Sequence, residues 1–186
     1  MLTLFRISND NFANSPSGQE KPPMLFMHGI GDSADCFIVH KPDKAPAFVA
    51  ASEGYDVWLG NLRGNKYSRK HKSLDPDTDM DFWKFSWSEN GRYDLPALLN
   101  FIKQETGYEK VAYVGHSMGT TSMFYAMVTN YEQIARDVSI FVALAPVTTI
   151  SESPSAAIKL ALPFLEPIRF VMETFDMYEL LQATAI

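Results

Sequence analysis

The sequence predicts an α/β protein, a mostly parallel sheet with helices on both faces. Three observations predict it. Short apolar runs of strand length recur at 24–27, 55–59, 111–114 and 138–145. Stretches of helix composition lie between them, most clearly the stripe of Leu95, Leu98, Leu99 and Ile102 at i, i+3, i+4 and i+7. The third run, Val111-Ala112-Tyr113-Val114, leads straight into Gly115-His116-Ser117-Met118-Gly119, and a helix-compatible stretch follows from Thr120 to about Asn130. A bare G-x-S-x-G is common by chance, but strand, G-x-S-x-G and helix in that order is the context of a nucleophile elbow.

Residues 1–7 alternate like a short strand, apolar on both faces, and turn polar too soon for a signal-peptide core. Residues 8–23 are a polar loop rich in Pro, Gly and Asn. Met24 to Met27 reads as a buried strand. Ala45 to Glu53 has helix composition, with Pro46 in its first turn and Gly54 as its stop. Tyr55 to Leu59 is the next strand. The basic, glycine-bearing segment from Gly60 to Lys72 is expected to be solvated or internally paired. Phe82, Trp83, Phe85 and Trp87 form an aromatic cluster that packs in the core or on the next helix. That helix carries the Leu95 stripe. Pro96 requires it either to start nearby or to kink within a longer helix, and Gly107 ends it. After the elbow, Met123, Ala126 and Met127 are the expected buried positions. Val138 to Ala145 is a fully apolar strand stopped by Pro146. Residues 1–146 therefore read as an α/β core, and 147–186 as a helical, apolar segment broken by Pro154, Pro163 and Pro167, the start of a cap.

The chemistry centres on Ser117. Gly115 and Gly119 fit a turn too tight for side chains, and the serine is left on a strained corner at the positive end of a helix. The loop His28-Gly29-Ile30-Gly31 follows the 24–27 strand directly. Its glycines would let backbone approach a substrate carbonyl, so the N–H groups of Ile30 and Met118 are the candidate oxyanion donors. One such donor is worth about 3–4 kcal/mol in a developing transition state. His28 is expected to brace that loop. Asp75, Asp77, Asp79 and Asp81 alternate like the opening of a calcium loop, but Met80 and Ser86 stand where such a loop needs glycine and glutamate. No metal and no cofactor is expected.

Composition narrows the classes further. A net charge of −6 argues against nucleic acid as a partner, because phosphate binding wants a positive field. The single cysteine, Cys36, permits no internal disulfide. No run of eighteen apolar residues is present.

The chain resembles the acid lipase family of α/β hydrolases, the group of lysosomal acid lipase and gastric lipase. The likeness lies in Met27-His28-Gly29-Ile30, the Gly54 to Asn61 run, Arg63-Gly64-Asn65, Tyr67 to His71, Phe82-Trp83, Tyr93 to Ala97 and Tyr113 to Thr121. The family usually has glutamine where this chain has Met118; the backbone N–H is what acts there. The resemblance implies an α/β-hydrolase fold whose sheet stops before its last strands. It also implies a carboxylic ester hydrolase of lipid degradation, acting on triacylglycerols or sterol esters with Ser117 as nucleophile. A secreted or lysosomal location is implied as well.

Triad order in this fold is serine, acid, histidine. The four histidines, His28, His40, His71 and His116, all precede Ser117. Asp137 and Asp176 follow it, but neither lies after a late strand. His116 adjoins the serine and should point away from it. The expectation is that the triad Asp and His are absent from these residues. The alternative is a non-catalytic α/β-hydrolase-like subunit in a larger assembly, with a partner chain over an exposed sheet edge.

Overall fold

The computed structural model describes residues 1–7, 22–149, 159–160 and 162–174. Among these residues, five strands form one sheet: β1 (Leu4–Arg6), β2 (Pro23–Met27), β3 (Asp56–Gly60), β4 (Val111–His116) and β5 (Val138–Leu144), in the order β1-β3-β2-β4-β5. β1 runs antiparallel to β3, and every other pairing is parallel. The chain leaves β2 towards β3 on one side and returns to β4 on the other. The order thus reverses between β2 and β4, the kind of switch point outside whose strand carboxyl ends open α/β sheets bind ligands.

Helices lie on both faces because alternate residues of each strand are apolar on alternate sides. Leu25, Met27 and Trp58 pack with Tyr113 and with Leu95, Leu98, Leu99 and Ile102 of α3 (Leu95–Thr106). Phe26, Val57 and Leu59 pack on the opposite face with Ala47 and Ala51 of α1 (Pro46–Ser52). Gly54 closes the α1 turn at φ +94, a conformation that costs a side-chain-bearing residue about 1–2 kcal/mol.

The Leu95 helix begins earlier than Pro96. Ser86 and Glu89 form a capping box that starts α2 (Trp87–Glu89), and a π turn over Asn90–Asp94 joins it to α3. The wide turn absorbs the proline. Leu95 N–H reaches back five residues to the Asn90 carbonyl, and Asn130 Nδ2 donates to the Arg92 carbonyl, which Pro96 has no N–H to satisfy.

α4 (Met118–Thr129) follows the elbow, and α5 (Tyr131–Asp137), which the sequence did not suggest, leads into β5. The α4 stripe buries Gly119, Ser122, Met123 and Ala126. Met127 lies at its margin and is 39% exposed, against expectation.

β5 is the edge that a sheet stopping before its last strands leaves open. It is apolar but lies at the sheet edge, with Ile140, Val142 and Leu144 exposed among the described residues. Apolar composition predicts a strand made to be covered; it does not supply the cover. Of the 147–186 segment, a helix α6 (Leu165–Thr174) is described, and much of the rest lies outside the described residues. Among the described residues, no helix is long and apolar enough to cross a membrane, and no cluster of three or more His, Cys, Asp or Glu could hold a metal ion.

The basic loop after β3 is internally paired. Arg63 meets Asp94, Lys66 meets Asp35 and Arg69 meets Asp77. Its glycine at 64 has φ +80 and lies under the Phe85 and Trp83 rings, where Phe82, Trp83 and Phe85 stack edge to face or tilted.

Candidate active site

Ser117 stands between β4 and α4 with φ 51 and ψ −116. A non-glycine residue in this region is strained by about 1–3 kcal/mol and persists only where its surroundings over-determine it. Three hydrogen-bonded groups do so here. The Ser117 N–H donates to the Leu144 carbonyl at 3.0 Å, fixing the corner to the end of β5. The Ser117 carbonyl accepts from Thr120 N at 2.8 Å and from the Thr120 hydroxyl at 2.6 Å. The buried Tyr113 hydroxyl donates to the Gly119 carbonyl at 2.8 Å.

The glycines of the motif are explained by contacts. A Cβ on Gly119 would stand 2.5 Å from the Met27 carbonyl oxygen, and one on Gly115 would stand 2.9 Å from the Gly119 carbonyl carbon. Helix, strand and elbow therefore touch backbone to backbone. The close approach puts the 28–31 loop beside the serine. A Cβ on Gly29 would meet Ser117 Cβ at 3.0 Å and Ser117 Oγ at 3.4 Å.

The two candidate oxyanion donors flank this contact. Ile30 follows Gly29 in the chain, and the residue is 79% exposed. Met118 is the first residue of α4, where helical N–H groups have no carbonyl within the helix. Gly115 and Gly119, the two glycines of the motif, lie on either side of the serine at these backbone contacts.

His28 braces the loop rather than facing the serine hydroxyl. Its Nε2 accepts from the Leu62 N–H at 3.2 Å and lies 3.0 Å from Asn65 Nδ2. An acceptor at Nε2 leaves the proton on Nδ1, which donates to the Gly29 carbonyl at 2.7 Å. Burial holds its pKa below the ordinary histidine value, although the Gly29 bond and nearby Asp32 pull upward. Asn65 also donates to Asn61 Oδ1, which accepts from Ala34 N, so the post-β2 and post-β3 loops form one network. Sequence reading found His28 but not Asn61 and Asn65.

His116 also stands against Gly29, its Nδ1 3.5 Å from the point a Cβ there would occupy, yet no hydrogen bond joins it to Ser117 Oγ. Asp137 is fully buried but at the wrong end of the sheet. It precedes β5 and pairs with Lys103 and Arg136, about 20 Å along the strand from the elbow. Asp176 lies outside the described residues. The arrangement thus offers a half-buried serine on a strained corner and neighbouring backbone amides, and among the described residues no side chain that bonds the serine hydroxyl.

A clasp that the sequence did not reveal ties the elbow to the loop after β5. Val147 N–H donates to the Thr120 hydroxyl at 3.0 Å, and the Thr121 hydroxyl donates to the Val147 carbonyl at 2.7 Å. Just before it, Ala145 takes φ +47. The only signal was the Thr120-Thr121 pair itself, whose partner lies 26 residues on.

Comparison with known proteins shows the family and the fold. Residues 22–166 match the family model described as alpha/beta hydrolase fold. Gastric triacylglycerol lipase of Rattus norvegicus is 43% identical over 177 residues, which is 94% of this chain and 44% of that protein. Lipase member K of Homo sapiens is 48% identical over 140 residues, covering 75% of this chain and 35% of that protein. The chain therefore spans less than half the length of these curated relatives. Among solved structures, Epoxide Hydrolase A from Mycobacterium thermoresistibile superposes with a TM-score of 0.50 at 20% identity, over 87% of this chain and 41% of that one, a likeness of fold alone.

Proposed function

Since the chain belongs to the α/β-hydrolase family, as an acid-lipase-like member, we propose that it carries the nucleophile and oxyanion half of a lipid ester hydrolase. In this reading Ser117 Oγ attacks the ester carbonyl, and the Ile30 and Met118 N–H groups receive the charge that develops on the carbonyl oxygen. The substrates are triacylglycerols or sterol esters, and the site of action is secreted or lysosomal, both by likeness to the gastric and acid lipases. The observation that carries the reading is the strained Ser117 at φ 51, pinned to β5 and facing Gly29. Strain of this kind needs a reason, and exposing a hydroxyl on a corner is one.

The general base comes from outside these 186 residues, because the sequence has no histidine beyond His116. A serine hydroxyl without its base is a poor nucleophile. Losing that histidine costs on the order of a millionfold in kcat, while an oxyanion hole with substrate binding retains roughly 10³–10⁴ over water. The reading is tested by hydrolysis of p-nitrophenyl butyrate with added imidazole as a free base. A rate that rises with imidazole and vanishes in Ser117→Ala supports it; equal rates in the two proteins reject it.

The exposed apolar residues of β5 favour a second reading, a subunit retained for its surfaces. It predicts a partner that binds tightly to Ser117→Ala and a chain inert to imidazole rescue.

A further inference from the structure

A cleft of about 380 Å³ lies off the carboxyl end of β3, away from Ser117, and no part of the proposed chemistry uses it. Its size falls in the range of small-ligand sites, roughly 300–1,000 Å³. Its charge is opposite to that of the chain as a whole. The lining includes Arg63, Lys70, Lys72 and Lys84 against Asp81 and Asp94. Two of these cations are already matched, Arg63 by a two-pronged bond to Asp94 and Lys84 by Asp81. Lys70 and Lys72 remain, and among the described residues neither ammonium has an ion-pair partner. In a chain of net charge −6, two unmatched lysines at one cleft are a local reversal of sign.

The apolar part of the remaining lining is Leu2, Leu74, Phe82 and Phe85; Met1, Ser68 and His71 complete it. The turn that presents the lysines is held in place. His71 Nδ1 accepts from the N–H groups of Ser73 and Leu74, and its ring meets Phe82 edge to face at 6.2 Å. The Met1 ammonium donates to the Lys70 carbonyl. Next to it, Arg69 is tied down by Asp77 and lies over the Trp83 ring. A fixed cationic rim over an apolar floor suits one kind of small molecule.

We infer that this cleft binds a single-chain anionic amphiphile, its headgroup between Lys70 and Lys72 and its alkyl chain on Leu74, Phe82 and Phe85. A fatty carboxylate and an alkyl phosphate share this chemistry. The site does not involve Ser117, so it stands or falls apart from the hydrolase reading.

The test is calorimetric titration of the Ser117→Ala chain, which cannot turn over an ester. The ligands are dodecanoate, dodecyl phosphate, butyrate and a neutral maltoside with the same chain, all below their micelle concentrations. The expected result is saturable binding of one dodecanoate per chain, with a dissociation constant of about 10–100 μM. Binding should weaken with salt between about 0.05 and 0.5 M, and both butyrate and the maltoside should bind at least about tenfold more weakly. Preference for dodecanoate over dodecyl phosphate would assign a fatty acid, and the reverse an alkyl phosphate. Lys70→Glu/Lys72→Glu, whose exposed side chains leave the fold intact by circular dichroism, should lose binding at least about tenfold. Leu74→Asp should lose it similarly. Equal affinity in the charge-reversed variant, equal affinity for the maltoside, or no saturable binding below about 1 mM would overturn the assignment.

Discussion

Gly119→Ala is the sharpest test of how the elbow is built. The added methyl group would stand 2.5 Å from the Met27 carbonyl oxygen, 3.0 Å from that of His28 and 3.1 Å from the Met27 carbonyl carbon. All three are backbone atoms of β2 and its end, so no side chain can rotate away. Ordinary contact needs about 3.5 Å, so α4 must lift from the sheet by nearly an ångström. The lift strains the Tyr113 to Gly119 hydrogen bond and opens the packing of Met123 on the core. Overpacking of this kind costs about 1–3 kcal/mol, and a weakened buried hydrogen bond adds about 1 kcal/mol. A total of about 3 kcal/mol lowers Tm by roughly 6–12 °C for a domain of this size. Gly107→Ala is the control. It ends a helix, at φ +73, but a Cβ there meets nothing within 4 Å, so its cost is only the left-handed backbone, about 1–2 kcal/mol. Urea unfolding followed by circular dichroism gives both values. If Gly119→Ala is no less stable than Gly107→Ala, the backbone contact between α4 and β2 is not what the glycine serves.

Other perturbations have equally definite outcomes. Arg63→Met strands the Asp94 carboxylate, 3% exposed, and should cost about 3 kcal/mol, most of it restored in Arg63→Met/Asp94→Leu; identical losses in the single and double variants would refute the ion-pair account. For His28 the folded pKa is lowered by burial, so the unfolded chain takes up the proton first and stability falls as pH drops below about 6.5. His28→Gln keeps an acceptor for Leu62 N–H and cannot titrate, so its stability should depend less on pH between about 7.5 and 5 than the parent's; parallel profiles would remove His28 as the cause. Ser86→Ala breaks the capping box and should cost about 1 kcal/mol by chemical denaturation. The same box holds the Glu89 pKa at about 2, chiefly through the Ser86 backbone N–H, so that contribution is present above the ordinary glutamate value and is lost as pH falls towards 2.

What the sequence made legible was whatever chemistry is local. The strand into Gly115, the serine and the helix after it are contiguous, and their glycines record backbone contact within a few residues or with the one neighbouring strand. His28 was legible as a brace because it sits at a strand end beside glycines. The capping box from Ser86 to Glu89 is also local and signals the true helix start, whereas Pro96 alone left open a start nearby or a kink within a longer helix. A π turn over Asn90–Asp94 is what lets both signals hold. An exposed apolar sheet edge was legible from the missing last strands, but which residues of β5 face outward was not, because an apolar strand looks the same whether or not something lies over it. The Thr120–Val147–Thr121 clasp, the Asn61–Asn65–His28 network and the burial of Asp137 far from the elbow are long-range facts that only the fold brings together.

The central claim is that Ser117 is a strained-corner nucleophile beside an oxyanion pocket, lacking its base and the acid that would orient that base. Reaction with a fluorophosphonate, followed by intact mass and peptide mapping against Ser117→Ala in folded samples, tests it most directly. The predicted result is slow modification confined to Ser117, accelerated by imidazole and abolished in the variant. Modification that persists in Ser117→Ala, or none at all with imidazole present, would contradict the nucleophile assignment. Rapid modification without imidazole would contradict the missing base.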